Sequence, residues 1–129
     1  MKRSKNISPV GWYIASYLER FEFPDEDTSN VDRRCHAWEN TIIIKADTPE
    51  EAYQKVIREA TLTQDTAWTR GDGVKGGRLI FEGLTSLLPV YDALEDGAEL
   101  FWRNIPSSKV KTVQSRIKSK AELEAFSKE

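Results

Sequence analysis

Histidine and cysteine are almost missing from this chain of 129 residues, which has one of each, His36 and Cys35. A lone cysteine excludes an intrachain disulfide and suits a reducing compartment. One histidine and one cysteine cannot supply the ligand set of an ordinary zinc site. Neighbouring side chains on a strand point to opposite faces, so Cys35 and His36 are not expected to form a thiol–imidazole pair. Long apolar runs are also missing. Ile42 to Ile44 is typical of those present, far short of the roughly 20 residues a bilayer-spanning helix needs. The opening "MKRSKNISPVG" has bases with no apolar stretch behind them, so no secretory signal is read there and the cytoplasm is the expected compartment.

Excess charge of either sign is lacking too. The formal net charge is −2, which argues against nucleic acid as the main partner, since phosphate binding draws on clustered lysine and arginine. The charges are nevertheless segregated. From Leu79 to Trp102 the chain carries Glu82, Asp92, Glu95, Asp96 and Glu99 and no base. "PDEDTSNVD" adds Asp25, Glu26, Asp27 and Asp32, while bases gather at Lys2, Arg3 and Lys5 and again from Lys109 to Lys120. Such a pattern reads either as a solvated face or as an acidic site for a basic protein partner.

What is present is a sequence of well-marked elements. "GWYIASYLERFEF" (11–23) is aromatic and β-branched and stops at Pro24, so it reads as a long strand. A polar loop leads to a second strand, "CHAWENTIIIKA" (35–46), expected antiparallel to the first. In "DTPEEAYQKVIREATL", Thr48 suits an N-cap, Pro49 the first helical position, and Glu51 closes a Thr-x-x-Glu capping box. Ala52, Tyr53, Val56, Ile57 and Ala60 then recur at helical spacing. "RLIFEGLTSLLPVY" reads as a third strand, with Gly83 at a bulge and Pro89 at an edge or end. Asp96-Gly97 marks a turn, and "AELFWRNI" (98–105) reads as a fourth strand. After Pro106 the chain reads as helical in two pieces, the second opened by a Ser119/Glu122 capping box.

The expected fold is therefore α+β: a four-stranded, mainly antiparallel β-β-α-β-β sheet with one packed helix and a C-terminal helical tail. Residues 1–10 are read as a flexible N-terminus, 11–105 as the α+β domain, and 106–129 as a tail packing on it. "GWYIASYLERFEF", "ENTIIIKADTPEEAYQKVIREA", "FEGLTSLLPVYDALEDGAELFW" and "VQSRIKSKAELEAF" together resemble a small bacterial family known as a domain of unknown function, serial number four-two-eight-eight. The resemblance implies a fold and a bacterial origin, and brings no catalytic residues.

Two further stretches invite a chemical reading. "LTQDTAWTRGDGVKGG" (62–77) holds four glycines but is neither a Walker A loop nor a dinucleotide fingerprint, and it precedes a strand rather than opening a helix. The acids Asp92, Glu95, Asp96 and Glu99 are the kind of cluster that holds Mg²⁺ in a metal-dependent enzyme. With no base near them to hold a phosphate backbone, they read first as the acidic rim of a turn. No metal or cofactor is expected.

The aromatic residues carry the most weight. In strand one, alternation puts Trp12, Ile14 and Leu18 on one face and Tyr13, Tyr17, Phe21 and Phe23 on the other. One internal helix covers one face only, so the tail, a second protomer, another protein or a ligand must meet the rest. Trp68, two positions from Arg70 in a small, polar loop, reads either as a hot spot or as a plug at one end of the sheet. The leading expectation is a non-enzymatic protein-binding domain, of the kind in which an immunity protein neutralises a cognate bacterial toxin with a basic surface. Its partner-binding residues would be Trp68, Arg70, Asp72, Glu95, Asp96, Glu99, Glu26 and Asp27. The alternatives are a homodimeric or regulatory binding module and a metal-dependent enzyme on the acidic cluster.

Overall fold

The computed structural model describes residues 6–62, 68–69 and 75–126. Strands β1 (Trp12–Glu22) and β2 (His36–Lys45) lie within a residue of the stretches read as strands. They pair antiparallel without a break from Trp12↔Lys45 to Phe21↔His36. Helix α1, Pro49–Thr61, starts where its capping signals place it. Thr48 Oγ1 accepts the N–H of Glu51 at 3.1 Å. The Glu51 carboxylate reaches back one residue further than the expected box, accepting from the N–H of Asp47 at 3.2 Å. Both contacts satisfy backbone donors that the first turn leaves without helical partners.

A two-residue strand, β3 (Trp68–Thr69), then pairs with the start of β4, Lys75–Pro89. β4 begins three residues earlier than Arg78, so the end of the glycine-rich stretch is already sheet. The architecture is α+β. Three long strands make an antiparallel sheet in the order β2-β1-β4, and β3 adds a short bridge at the outer edge of β4. Gly83 sits at the expected irregularity, with φ of 146° beside the register shift between Leu18 and Glu19. Pro89 ends its strand as expected.

The core is small and lies between α1 and one end of the sheet. Tyr13, Ala15, Ile44 and Ala46 face Ala52 and Val56, and all six are buried. Three of the six are alanines, which lets helix and sheet approach closely around Tyr13 and Val56. Each large side chain buried there contributes about 1.5–3 kcal/mol.

The N-terminal segment is docked from Ser8. That residue is buried, donates its hydroxyl to the carbonyl of Val90, and accepts from the N–H groups of Val10 and Trp12. Its own N–H donates to the Tyr13 hydroxyl at 3.0 Å. Ser8 thus fastens the start of β1 to the end of β4. The expectation of a flexible segment through residue 10 missed this latch.

Two other expectations are corrected. Residues 98–105 form no strand. Their alternating pattern would make an edge strand, but Leu100, Phe101 and Trp102 are 44%, 45% and 62% exposed, with no buried alternate face. The segment instead crosses the second face, where Phe101 and Arg103 approach Ile14, Ser16 and Leu88. Shielding those apolar groups prevails over pairing at an edge. The tail is the other correction. It folds as α2 (Val110–Gln114) and two short 3-10 turns, Lys120–Glu122 and Glu124–Phe126. Val113, Ile117, Leu123 and Phe126 are all exposed, and among the described residues no tail element packs on a strand. Its contacts are internal, as in Lys118–Glu124 at 2.7 Å and Lys120 over the Phe126 ring. Helical turns this short carry too narrow an apolar stripe to displace water from a sheet.

Candidate functional site

The register divides the side chains cleanly. Tyr13, Ala15, Tyr17, Glu19 and Phe21 of β1 share a face with Ile44, Ile42, Asn40, Trp38 and His36 of β2. On β4 the same row continues as Leu87, Leu84, Phe81, Leu79 and Gly77. Helix α1 covers only the half of this face that starts at Tyr13. The other half is built from Glu19, Phe21, His36, Trp38, Asn40, Leu79 and Phe81, with no helix over it among the described residues.

That uncovered half is a shallow basin of about 190 Å³ lined by Glu19, Phe21, Trp38, Asn40 and Leu79. Three ring contacts hold its walls. Tyr17 and Phe81 have centroids 5.7 Å apart, Phe21 and Phe23 meet edge to face at 4.8 Å, and His36 lies 4.5 Å from Trp38. Phe21 can lie low because Gly77 leaves room for its ring: a β-carbon at Gly77 would overlap it. Trp38 remains 43% exposed.

Glu19 is the unusual member. It is 8% exposed on a face otherwise made of rings and aliphatic groups. The amide of Asn40, which stands opposite Tyr17 in the register, donates to its carboxylate. The Tyr17 pKa is raised, first by burial and then by the nearby charge of Glu19. The basin therefore has a carboxyl group in its floor, an amide bonded to it, and aromatic walls.

The second face is polar over its corresponding half. Glu22 meets Arg20 at 3.2 Å, Arg78 at 3.2 Å and Arg33 at 3.8 Å, while Arg20 also reaches Glu82 at 3.3 Å. Arg33 in turn holds Glu26 at 2.9 Å. This network ties the loop after β1 to the sheet. Nearer Val90, a groove of about 500 Å³ runs between Ser86, Leu88 and Tyr91 and the returning segment at Phe101 to Asn104.

The residues expected to bind a partner are scattered. Trp68 pairs through its backbone with Gly77, at the Glu22 end of the sheet. Arg70 and Asp72 lie outside the described residues. Glu95, Asp96 and Glu99 are exposed in the turn that follows Val90, at the opposite end. Val90 and Gly77 are separated by most of β4, on the order of 40 Å for thirteen residues of extended chain. One compact surface from Trp68 to Glu95 and Asp96 is thus not what the fold assembles. Glu26 is engaged by Arg33 and by the N–H of Phe23, which hold its carboxyl below its ordinary pKa, the backbone contact most strongly. Asp27 accepts from the N–H and hydroxyl of Ser29. Both acids are occupied in shaping their loop.

In the acidic turn, Asp92 accepts from the N–H of Glu99 at 3.2 Å. Among the described residues no three His, Cys, Asp or Glu side chains converge as a metal ion would require. Cys35 is exposed just before β2, and the His36 ring rests against Trp38 rather than on sulfur. No described helix is long and apolar enough to cross a membrane.

Sequence reasoning passed over Glu19 and Trp38. The signal was there: Glu19 interrupts the alternating row Tyr13, Tyr17, Phe21 and Phe23, and a charged residue in an aromatic row is a reason to look. The chain belongs to the family described as Domain of unknown function (DUF4288), whose model matches residues 12–102. No curated protein and no solved structure matches it.

Proposed function

We infer that this member of the family is a protein-binding domain that performs no chemistry of its own. The observation that carries the reading is the half of the helix-bearing sheet face that no described helix covers, where the ring of Trp38 is half exposed beside Phe21. Half-exposed aromatic rings held in place on a rigid sheet are the residue type and setting in which binding energy concentrates. The partner is a protein with a basic surface, in the manner of a bacterial toxin held by a cytoplasmic immunity protein. The acids of the turn at Glu95, Asp96 and Glu99 would act at longer range, steering a basic partner rather than anchoring it.

Affinity capture from the native host, followed by titration of the purified captured protein, tests this. Trp38→Ala should weaken binding at least tenfold, and Glu95→Lys should slow association and leave dissociation nearly unchanged. Equal binding by wild type and Trp38→Ala would move the interface elsewhere. Co-expression with the neighbouring reading frames tests the immunity version: one of them should be toxic alone and tolerated together with this chain. A chain that captures nothing and sediments as a dimer would replace the reading with a homodimeric module.

A further inference from the structure

We propose that the outer edge of β2 pairs with the same edge of a second copy of this chain, joining two sheets into one. The proposal goes beyond the protein-binding reading and does not rest on it. Edge pairing lies in the plane of the sheet and leaves both faces open.

The backbone is the first argument. β2 stands at the end of the order β2-β1-β4-β3, and among the described residues no strand lies on its outer side. The N–H of Ala46 bonds back to the carbonyl of Gly11 at 2.9 Å, so the backbone groups of Ile44, Ile42 and Asn40 also point into the sheet. Those of Lys45, Ile43, Thr41 and Glu39 therefore point outward. The Lys45 carbonyl has the same direction, accepting from the Lys55 ammonium of α1 at 2.6 Å. Edge strands that stay single are commonly short, bulged or interrupted by proline. β2 is ten residues long, holds neither glycine nor proline, and pairs with β1 without a register shift. The pairing of β1 with β4, by contrast, shifts twice, and β4 ends at Pro89. Ile43, in the middle of the open edge, is 41% exposed.

Charge selects the occupant and the register. A twofold axis at Ile42 sets Ile42 against Ile42 of the copy, Thr41 against Ile43 and Glu39 against Lys45. Thr41 and Ile43 would then exchange N–H···O bonds across the axis. Glu39 and Lys45 share a face by alternation, so symmetry forms their cross-strand ion pair twice. Moving the axis to Thr41 would oppose Glu39 to Ile43 and Lys45 to Ala37, and both direct ion pairs would be lost. Lys55 on the Lys45 carbonyl marks where the open edge stops. A foreign strand could use the same backbone groups, but a second copy brings the matching charges in the matching order.

Sedimentation equilibrium of the full 14.8 kDa chain over a concentration series should show a reversible dimer. Amide exchange at Thr41 and Ile43 should slow as concentration rises, while Ile42, already bonded inside the sheet, stays unchanged. Glu39→Lys or Lys45→Glu opposes like charges and should weaken the dimer about tenfold. The double variant, Glu39→Lys with Lys45→Glu, should return to within about threefold of wild type. Circular dichroism checks that each variant is folded; if a single variant unfolds, amide exchange in the wild type still decides. A chain that stays monomeric, a dimer indifferent to a folded Glu39→Lys, or a double variant weaker than either single one would each overturn the proposal. So would a dimer in which Thr41 and Ile43 exchange as fast as in the monomer, because it would be joined through a face. A monomer that captures a protein partner would sink this proposal and leave the protein-binding reading standing. An edge-paired dimer that captures nothing would do the reverse.

Discussion

One face of one sheet is finished in two different ways. Under α1, Tyr13 and Ala15 are wholly inaccessible, and Ala52 and Val56 of the helix close over them. Four positions further along β1, the same row of side chains reaches Glu19 and Phe21, which no described helix covers, with Trp38 43% exposed beside them. The covered half uses small residues so that two elements can touch. The open half uses large rings that touch one another and leave a depression. The first arrangement contributes stability, and the second leaves the Trp38 ring half exposed at the surface. Substitutions should separate the two halves.

The largest effect is expected under the helix. Tyr13→Ala removes a side chain with no exposed surface and the hydroxyl that accepts from Ser8, and should cost about 3–5 kcal/mol. Urea denaturation followed by circular dichroism reads this as a large fall in the midpoint. Trp38→Ala, on the same face in the open half, should shift the midpoint by much less. Equal losses from the two would mean that the open half is core as well, and the contrast would fail.

Gly77→Ala bears on how the open half is kept open. Its added methyl group would overlap the Phe21 ring, so the ring must rise into the basin. Overpacking of this kind costs about 1–3 kcal/mol. The nearby Trp38 indole resonance should move. A variant with wild-type stability and spectrum would show that Phe21 has room to spare.

Thr48→Ala addresses the helix as the cover of the closed half. The Thr48 hydroxyl takes the N–H of Glu51, and losing an N-cap of this kind costs about 1 kcal/mol. The urea midpoint should fall with an unchanged slope. A change in slope would mean that the cap also shapes how much of the closed half packs.

Much of this contrast was legible in the sequence, and the exceptions have physical causes. The helix was legible because its start is written in consecutive residues, Thr48, Pro49 and Glu51. The strands were legible because period-two alternation needs only a local count, and it put Tyr13, Tyr17 and Phe21 on one face as observed. Gly83 marked its own bulge. By contrast, "AELFWRNI" has a strand's local pattern, and only the three-dimensional need to cover Ile14 and Leu88 draws it across the sheet. Ser8 carries no local sign that it will bond to Val90, 82 residues away. The acids grouped by sequence proximity were separated because the two loops that hold them leave opposite ends of long strands. The basin needed both kinds of information: alternation places Glu19 among rings, but only the three-dimensional structure shows that α1 stops short of them.

The smallest expected effect lies at the loop beside the open half, where Glu26 receives the N–H of Phe23 at 3.0 Å and the guanidinium of Arg33 at 2.9 Å. Both contacts favour the charged carboxylate, so its folded pKa lies below the ordinary value. In the unfolded chain the group titrates near its usual value, about 4.3. The unfolded state therefore binds a proton first as pH falls, and the stability supplied by Glu26 is complete above that value. It is then lost as pH drops through the lower, folded pKa. Glu26→Gln keeps the shape and removes the charge, so the variant should be slightly less stable than wild type at pH 7. The gap should close as pH falls through the lowered, folded pKa, read from urea midpoints across the acid range. If the gap widened in acid, or stayed constant, Glu26 would be acting by its shape alone. The loop after β1 would then be held by the arginines on Glu22, and the ion pair to Arg33 would contribute nothing to the rim of the basin.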